Sequence, residues 1–223
     1  MSQHGRTAAE RELLAAVSAE RLWNDTRTIG ARYRESGSVE EREAVQYIVD
    51  ELNKAGVEDI RIYELNAYLS YHREAECEIV FPERRHIPAV ARAYTESTPP
   101  DGIEVEVVLA DEYDGDVSDK AVLTARDWPG GEKARHARVQ IHAQTTGEPN
   151  LHRGGGTPVW GTPSVHHAHL LKTEPTGIMI SRPDAEALRA LVRRGPVRIR
   201  VRTVVDTGWR RITFPVATIP GRE

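Results

Sequence analysis

The chain has 223 residues, 39% of them hydrophobic, a formal net charge of −4 and a mean hydropathy of −0.52. That length suits one large domain or two modest ones and is enough to bury a real core. The acidic balance and an aromatic content of 6% argue against charge-driven or stacking-driven nucleic-acid binding. No apolar run approaches the roughly 18 residues of a membrane span.

The single cysteine, Cys77, excludes an internal disulfide framework and fits a reducing compartment. Met1 to Arg6 lacks the apolar centre of a secretory signal. A soluble, cytoplasmic protein is the expectation.

Thr7-Ala8-Ala9-Glu10 reads as a capping box opening a helix with Leu13, Leu14 and Val17 on one face. A second helical pattern carries Leu22, Trp23, Ile29 and Tyr33. Ser38-Val39-Glu40-Glu41 is a stronger box, in which Ser38 accepts from the third amide and Glu41 reaches back to the cap. Ala44, Val45, Ile48, Leu52 and Ala55 follow at helical spacing, and Gly56 supplies a left-handed stop. A strand is expected around Ile60 and Ile62. Another is expected from Glu74 to Val80, where Glu74, Glu76 and Glu78 alternate with Ala75, Cys77 and Ile79.

Pro82, Pro88, Pro99, Pro100 and Gly102 then punctuate the chain. Short strands are expected at 103–109, 121–124, 139–143, 177–180 and 197–205, with a short helix near Glu132 to Ala137. A further helix runs from a Ser181 cap, with Asp184 three residues on and Leu188, Leu191 and Val192 on its core face, to a Gly195-Pro196 stop.

Arg34-x-x-Gly37-Ser38-x-x-Glu41-Arg42-x-Ala44 and Tyr47-Ile48-x-x-x-Leu52-x-x-x-Gly56, in that order, resemble the opening of zinc aminopeptidases, a group that includes the glutamate carboxypeptidase and transferrin-receptor-like proteins. From about Pro82 to Val205 the chain resembles the protease-associated domain inserted in longer members. Lys120-Ala121-Val122-Leu123, Thr157-Pro158-Val159-Trp160-Gly161-Thr162-Pro163 and Ile178-Met179-Ile180-Ser181-Arg182 carry that likeness. Asp206-Thr207-Gly208-Trp209-Arg210 and Val216-Ala217-Thr218-Ile219-Pro220-Gly221 resemble the return to the peptidase sheet.

The resemblance implies a mixed α+β fold. Residues 1–81 and the return segment 206–223 would form a partial α/β peptidase-type lobe, and 82–205 an inserted β-rich protease-associated domain. It implies an open apolar face on the first lobe wherever strands of its parent sheet are absent. It also implies zinc ligands after the return strand: a His-x-Asp pair, a bridging Asp, a Glu-Glu pair, a further carboxylate and a His. No His-x-Asp occurs here, and Glu40-Glu41 sits at a helix N-terminus, where capping and the helix dipole account for it. No catalytic residue and no cofactor is therefore expected within this chain. Zinc belongs to the full-length relative, with a peptide-like substrate. The expected partner is the missing catalytic domain, a second chain or a second copy of this one; no nucleic acid and no membrane is expected.

Three groups compete for function with purely structural roles. In the resembled enzymes the inserted domain roofs the active-site cleft, which would make Arg153, Trp160 and Thr162 substrate-lid residues, Arg153 offering a bidentate fork to a carboxylate. The alternative is a loop packed on its own domain by Trp160. His166 and His169 share a helical face and, with His152 or Glu174, would approach the ligand number zinc wants; the alternative is a polar surface loop. Arg198, Arg200 and Arg202 read as an anion-binding stripe or as a solvated edge. Cys77, on the apolar face of its strand, reads as core. Two wider alternatives stay open: a stand-alone binding module without enzymatic activity, and a metal-binding protein built on His166 and His169.

Overall fold

The structure is a computed structural model that describes residues 7–145, 151–155, 161–171 and 173–221. The chain divides into two units, one of residues 1–65 with 211–223 and one of residues 66–210.

The first unit contains α1 (Ala8–Ala15), α2 (Ala19–Gly30) and α3 (Val39–Lys54), with one end each of β1 (Asp59–Phe81) and β8 (Arg198–Thr218). Thr7 and Glu10 form the expected reciprocal cap of α1. At α3 the geometry shifts by one residue. Ser38 Oγ accepts from Glu41 N at 3.1 Å, but the Glu41 carboxylate takes the Gly37 amide at 2.8 Å, because Ser38 N already donates to Glu35 O at 2.9 Å. Gly56 ends α3 at φ +80, with Val57 N returning to Leu52 O at 3.1 Å. Tyr47 donates to Asp25 at 2.7 Å between α2 and α3, and Tyr63 stacks on Phe214 at 5.6 Å. The apolar faces expected on α1 and α2 exist but are not buried: Leu13 is 71% and Trp23 63% exposed. Among the described residues of this unit, Val45 is the one buried hydrophobic side chain.

The second unit is built on an eight-stranded mixed sheet in the order β2-β1-β8-β4-β5-β6-β7-β3. Its further strands are β2 (Arg85–His86), β3 (Ala89–Ala91), β4 (Ile103–Leu109), β5 (Lys120–Ala125), β6 (Val139–Ala143) and β7 (Thr176–Ile180). The strands β4 to β7 are parallel neighbours, flanked by antiparallel β8 and β3. The segments expected near Ile60 and from Glu74 to Val80 are one 23-residue strand, and the strand expected to end at Val205 runs on to Thr218. Both cross the division between the units. The two ends of the strand order, β2 and β3, are joined only by Ile87 and Pro88, a reach of roughly 11 Å. That short link forces the sheet to curl until its edges come close.

The inner face of the curl explains the alternating pattern. Cys77, Ile79, Val105, Val107, Leu109, Leu123, Ile141, Ile178, Ile180 and Ile199 form one buried cluster with Ala185 and Leu188 of α4 (Arg182–Val192). Ser181 caps α4 by accepting from Asp184 N at 3.1 Å, as its spacing predicts. Cys77 is core, and burial pushes its thiol pKa up to about 12, which keeps it protonated and unreactive. The arginine stripe is paired rather than free: Arg198 and Arg200 meet Glu104, and Arg202 meets Glu74 and Glu76. No helix among the described residues is long and apolar enough to cross a membrane.

Candidate functional site

The outer face of the parallel strands is polar at one place. On β6, Gln140 and His142 alternate with the inward Val139, Ile141 and Ala143. In register beside them stand Val122 and Thr124 of β5 and Gly177 and Met179 of β7. Gly177 matters because it carries no side chain: a Cβ there would lie 3.2 Å from Arg92 Cδ and 3.1 Å from Thr95 Cγ2. Arg92, whose N–H donates to Gly177 O at 2.9 Å, crosses that gap. Its Nη1 donates to Gln140 Oε1 at 2.8 Å and to His142 Nε2 at 2.5 Å, and its Nη2 to Gly155 O at 2.6 Å. Because an arginine only donates, His142 Nε2 is an acceptor and its ring proton belongs on Nδ1.

Burial first, and the Arg92 charge second, push the His142 pKa down to about 3. The imidazole is therefore neutral at pH 7. Its folded-state pKa lies below the ordinary value of 6.5, so its contribution to stability is full above that value and declines as the pH falls toward 3. Denaturant titration at pH 6 and pH 4 is expected to show wild type losing more stability than His142→Gln. The excess should be at most about 1.4 kcal/mol per pH unit. Equal losses would place the imidazole in water.

This polar face opens into a cavity of about 820 Å³ at the carboxyl ends of β5 and β6. Arg92, Arg126, Trp128, Glu132, His142 and Met179 are among the residues that line it. A second cavity of about 330 Å³ shares Arg92, Glu132 and His142 and reaches Glu174. Trp128 is fixed in place by the guanidinium of Arg189 at 4.5 Å and that of Arg182 at 5.0 Å from its ring centre. Arg189 is in turn held by Asp111, whose carboxyl sits below its ordinary range because of that hydrogen bond.

The residues singled out from sequence lie elsewhere. Arg153 is exposed beside Gly154, whose carbonyl accepts from Ala93 N at 2.9 Å. Thr162 donates to Asn66 O at 3.1 Å, and its neighbour Gly161 exchanges two backbone hydrogen bonds with Tyr68. Tyr94 links these two feet of the loop. Its OH donates to Tyr68 O at 2.9 Å and its N–H to Ser70 Oγ at 2.8 Å, while its own backbone is held at φ 61. Trp160 lies outside the described residues. His166 and His169 are exposed on a 3₁₀ helix, Val165–Leu170, where residues three apart eclipse. Among the described residues no three His, Cys, Asp or Glu side chains come together as metal ligands, so neither His152 nor Glu174 joins that pair. The donor set described does not fit zinc.

No family model matches the chain, and no curated protein does. Solved structures do. A peptidase M28 precursor from Shewanella amazonensis SB2B aligns over 94% of this chain and 52% of its own, at TM-score 0.71 and 17% identity. An aminopeptidase from Aneurinibacillus sp. strain AM-1 aligns over 90% and 47%, at TM-score 0.61 and 19% identity. BSAP, a zinc aminopeptidase from Bacillus subtilis, aligns over 87% and 45%, at TM-score 0.65 and 14% identity. The chain shares their fold. It spans about half the length of each of these chains.

The Arg92–Gln140–His142 group was not singled out from sequence. The signal was present in Gln140 and His142, polar residues in an otherwise apolar strand. It acquires meaning only once β6 is known to be central, with Gln140 buried, so that the outward polar groups need partners.

Proposed function

We propose that this chain is the non-catalytic N-terminal and substrate-lid portion of a zinc aminopeptidase-like metallopeptidase, with residues 82–205 acting as a protease-associated-type domain. The observation that carries this reading is the apolar surface of the first unit. Leu13, Leu14, Val17, Leu22 and Trp23 are all exposed there, against one buried hydrophobic side chain. An apolar surface of that kind belongs under another polypeptide. The likeness of fold to a zinc aminopeptidase about twice as long supports a zinc-ligand domain as the cover, in the same polypeptide or in a second one. A second copy of this chain is the other candidate cover.

On this reading Arg153, Trp160 and Thr162 stand on the substrate side of the lid, and the substrate is peptide-like. Hydrolysis needs the zinc-ligand domain. The purified chain with added zinc is therefore expected to release no more product than buffer from aminoacyl anilides. Turnover above that level would overturn the non-catalytic assignment.

The second reading, a stand-alone binding module, is favoured by the closed core of the second unit, which α4 completes without help from residues outside 66–210. Sedimentation at micromolar concentration separates the two. A sharp monomer that binds no apolar dye favours the module, and self-association or dye binding favours the covered face.

A further inference from the structure

We propose that the cavity at the carboxyl ends of β5 and β6 binds a small carboxylic acid with an apolar body, its carboxylate held by the charge of Arg92. The inference is independent of the peptidase reading, because every residue it uses lies in the second unit.

The place is the first argument. In sheets of parallel strands, ligands collect beyond the carboxyl ends, where the connecting loops diverge and leave a crevice. At about 820 Å³ the cavity is within the range of small-molecule sites and admits a ligand of amino-acid to dipeptide size.

The charge is the second. Arg92 is half-buried, yet the hydrogen-bond partners of its guanidinium among the described residues are neutral: the Gln140 amide oxygen, the His142 imidazole and the Gly155 carbonyl. Among the described residues no carboxylate lies within ion-pair distance of it. Glu174 is near, but it is reached through Gln140, whose Nε2 donates to Glu174 Oε2 at 3.3 Å. Of its five N–H donors, three are taken, and Nε is sheltered without an acceptor. Buried charges in proteins are ordinarily paired, so a guanidinium held by dipoles alone at a cavity wall is a prepared site for an anion.

The balance of the lining sets the class of anion. Arg92 and Arg126 line the large cavity against Glu132, while His142 is neutral. Glu174 stands on the adjoining cavity. Those carboxylates leave room for a single negative charge and oppose a dianion such as phosphate. Trp128, Pro129 and Met179 supply an apolar wall for the rest of the ligand.

Met179 is one of only two methionines in the sequence, the other being Met1. A full-length chain labelled at the methionine methyl carbons therefore reports the cavity directly by NMR. Benzoate and hippurate are titrated beside benzamide and hippuramide, and inorganic phosphate is added as competitor. The carboxylates are expected to shift the Met179 signal saturably, the amides to bind at least tenfold more weakly and phosphate to displace nothing. Arg92→Gln is expected to weaken carboxylate binding at least tenfold. Arg126→Glu changes an exposed residue that the fold does not need, and it is expected to weaken binding several-fold. A silent Met179 signal with both acids, equal binding of the amides, displacement by phosphate, or unchanged affinity in the variants would each overturn the proposal.

Discussion

Replacing Leu188 by alanine is expected to remove about 2–5 kcal/mol of unfolding free energy. Leu188 is fully buried and is the large side chain through which α4 enters the interior of the curled sheet. Its neighbours there, Leu123, Ile141, Ile178 and Ile199, come from four different strands. Their strands belong to one hydrogen-bonded sheet, so the side chains cannot collapse into the void. The cost should therefore fall toward the upper part of that range, a large share of the roughly 5–15 kcal/mol that a domain possesses. Leu13→Ala, on a helix face that is 71% exposed, is the matched control and should change stability by less than about 0.5 kcal/mol. Denaturant unfolding followed by circular dichroism measures both. A loss below 1 kcal/mol at Leu188, or losses of similar size at the two positions, would mean that α4 is not packed as described.

Amide hydrogen exchange is expected to divide at the boundary between the units. Local opening is costly where it exposes buried apolar surface and almost free where it does not. The amides of β5, β6 and β7 lie between strands whose side chains are buried on the inner face, so their exchange requires global unfolding. The amides of α1 and α2 lie in helices with no buried residue, and isolated helices of 8 and 12 residues are marginal in water. Protection factors should differ by at least three orders of magnitude between the two sets. Equal protection would show that the first unit holds a core of its own. That result would remove the observation on which the covered-face reading rests, while leaving the Arg92 cavity untouched.

Local chemistry was legible in the chain. The Thr7 and Ser181 caps, the Gly56 stop, the alternation through Cys77 and Ile79 and the apolar face of α4 all follow from contacts between residues a few positions apart. Such contacts are set by short-range geometry that the order of residues specifies. A competing local bond shifts the α3 cap by one residue: the Glu41 carboxylate goes to Gly37 because Ser38 N is already engaged with Glu35.

The site was not legible, and the reason is distance along the chain. Arg92 lies 48 and 50 residues before Gln140 and His142 and reaches them because β3, which it follows, and β6 both pair with β7, where Gly177 makes room for its stem. The arginine stripe on β8 likewise reads in sequence as either an anion-binding surface or a solvated edge, and only the fold sets Glu74, Glu76 and Glu104 opposite it. The amino-acid sequence by itself determined which segments become helices and strands, where they are capped and which faces are apolar. Only the tertiary structure decided the strand order, the burial of α4 and the emptiness of the first unit's interior. It alone placed a guanidinium with neutral partners at the wall of a cavity. Helical and strand periodicity is a property of neighbours in sequence, whereas a counter-charge, a cavity or a covered face depends on what the fold brings from far away.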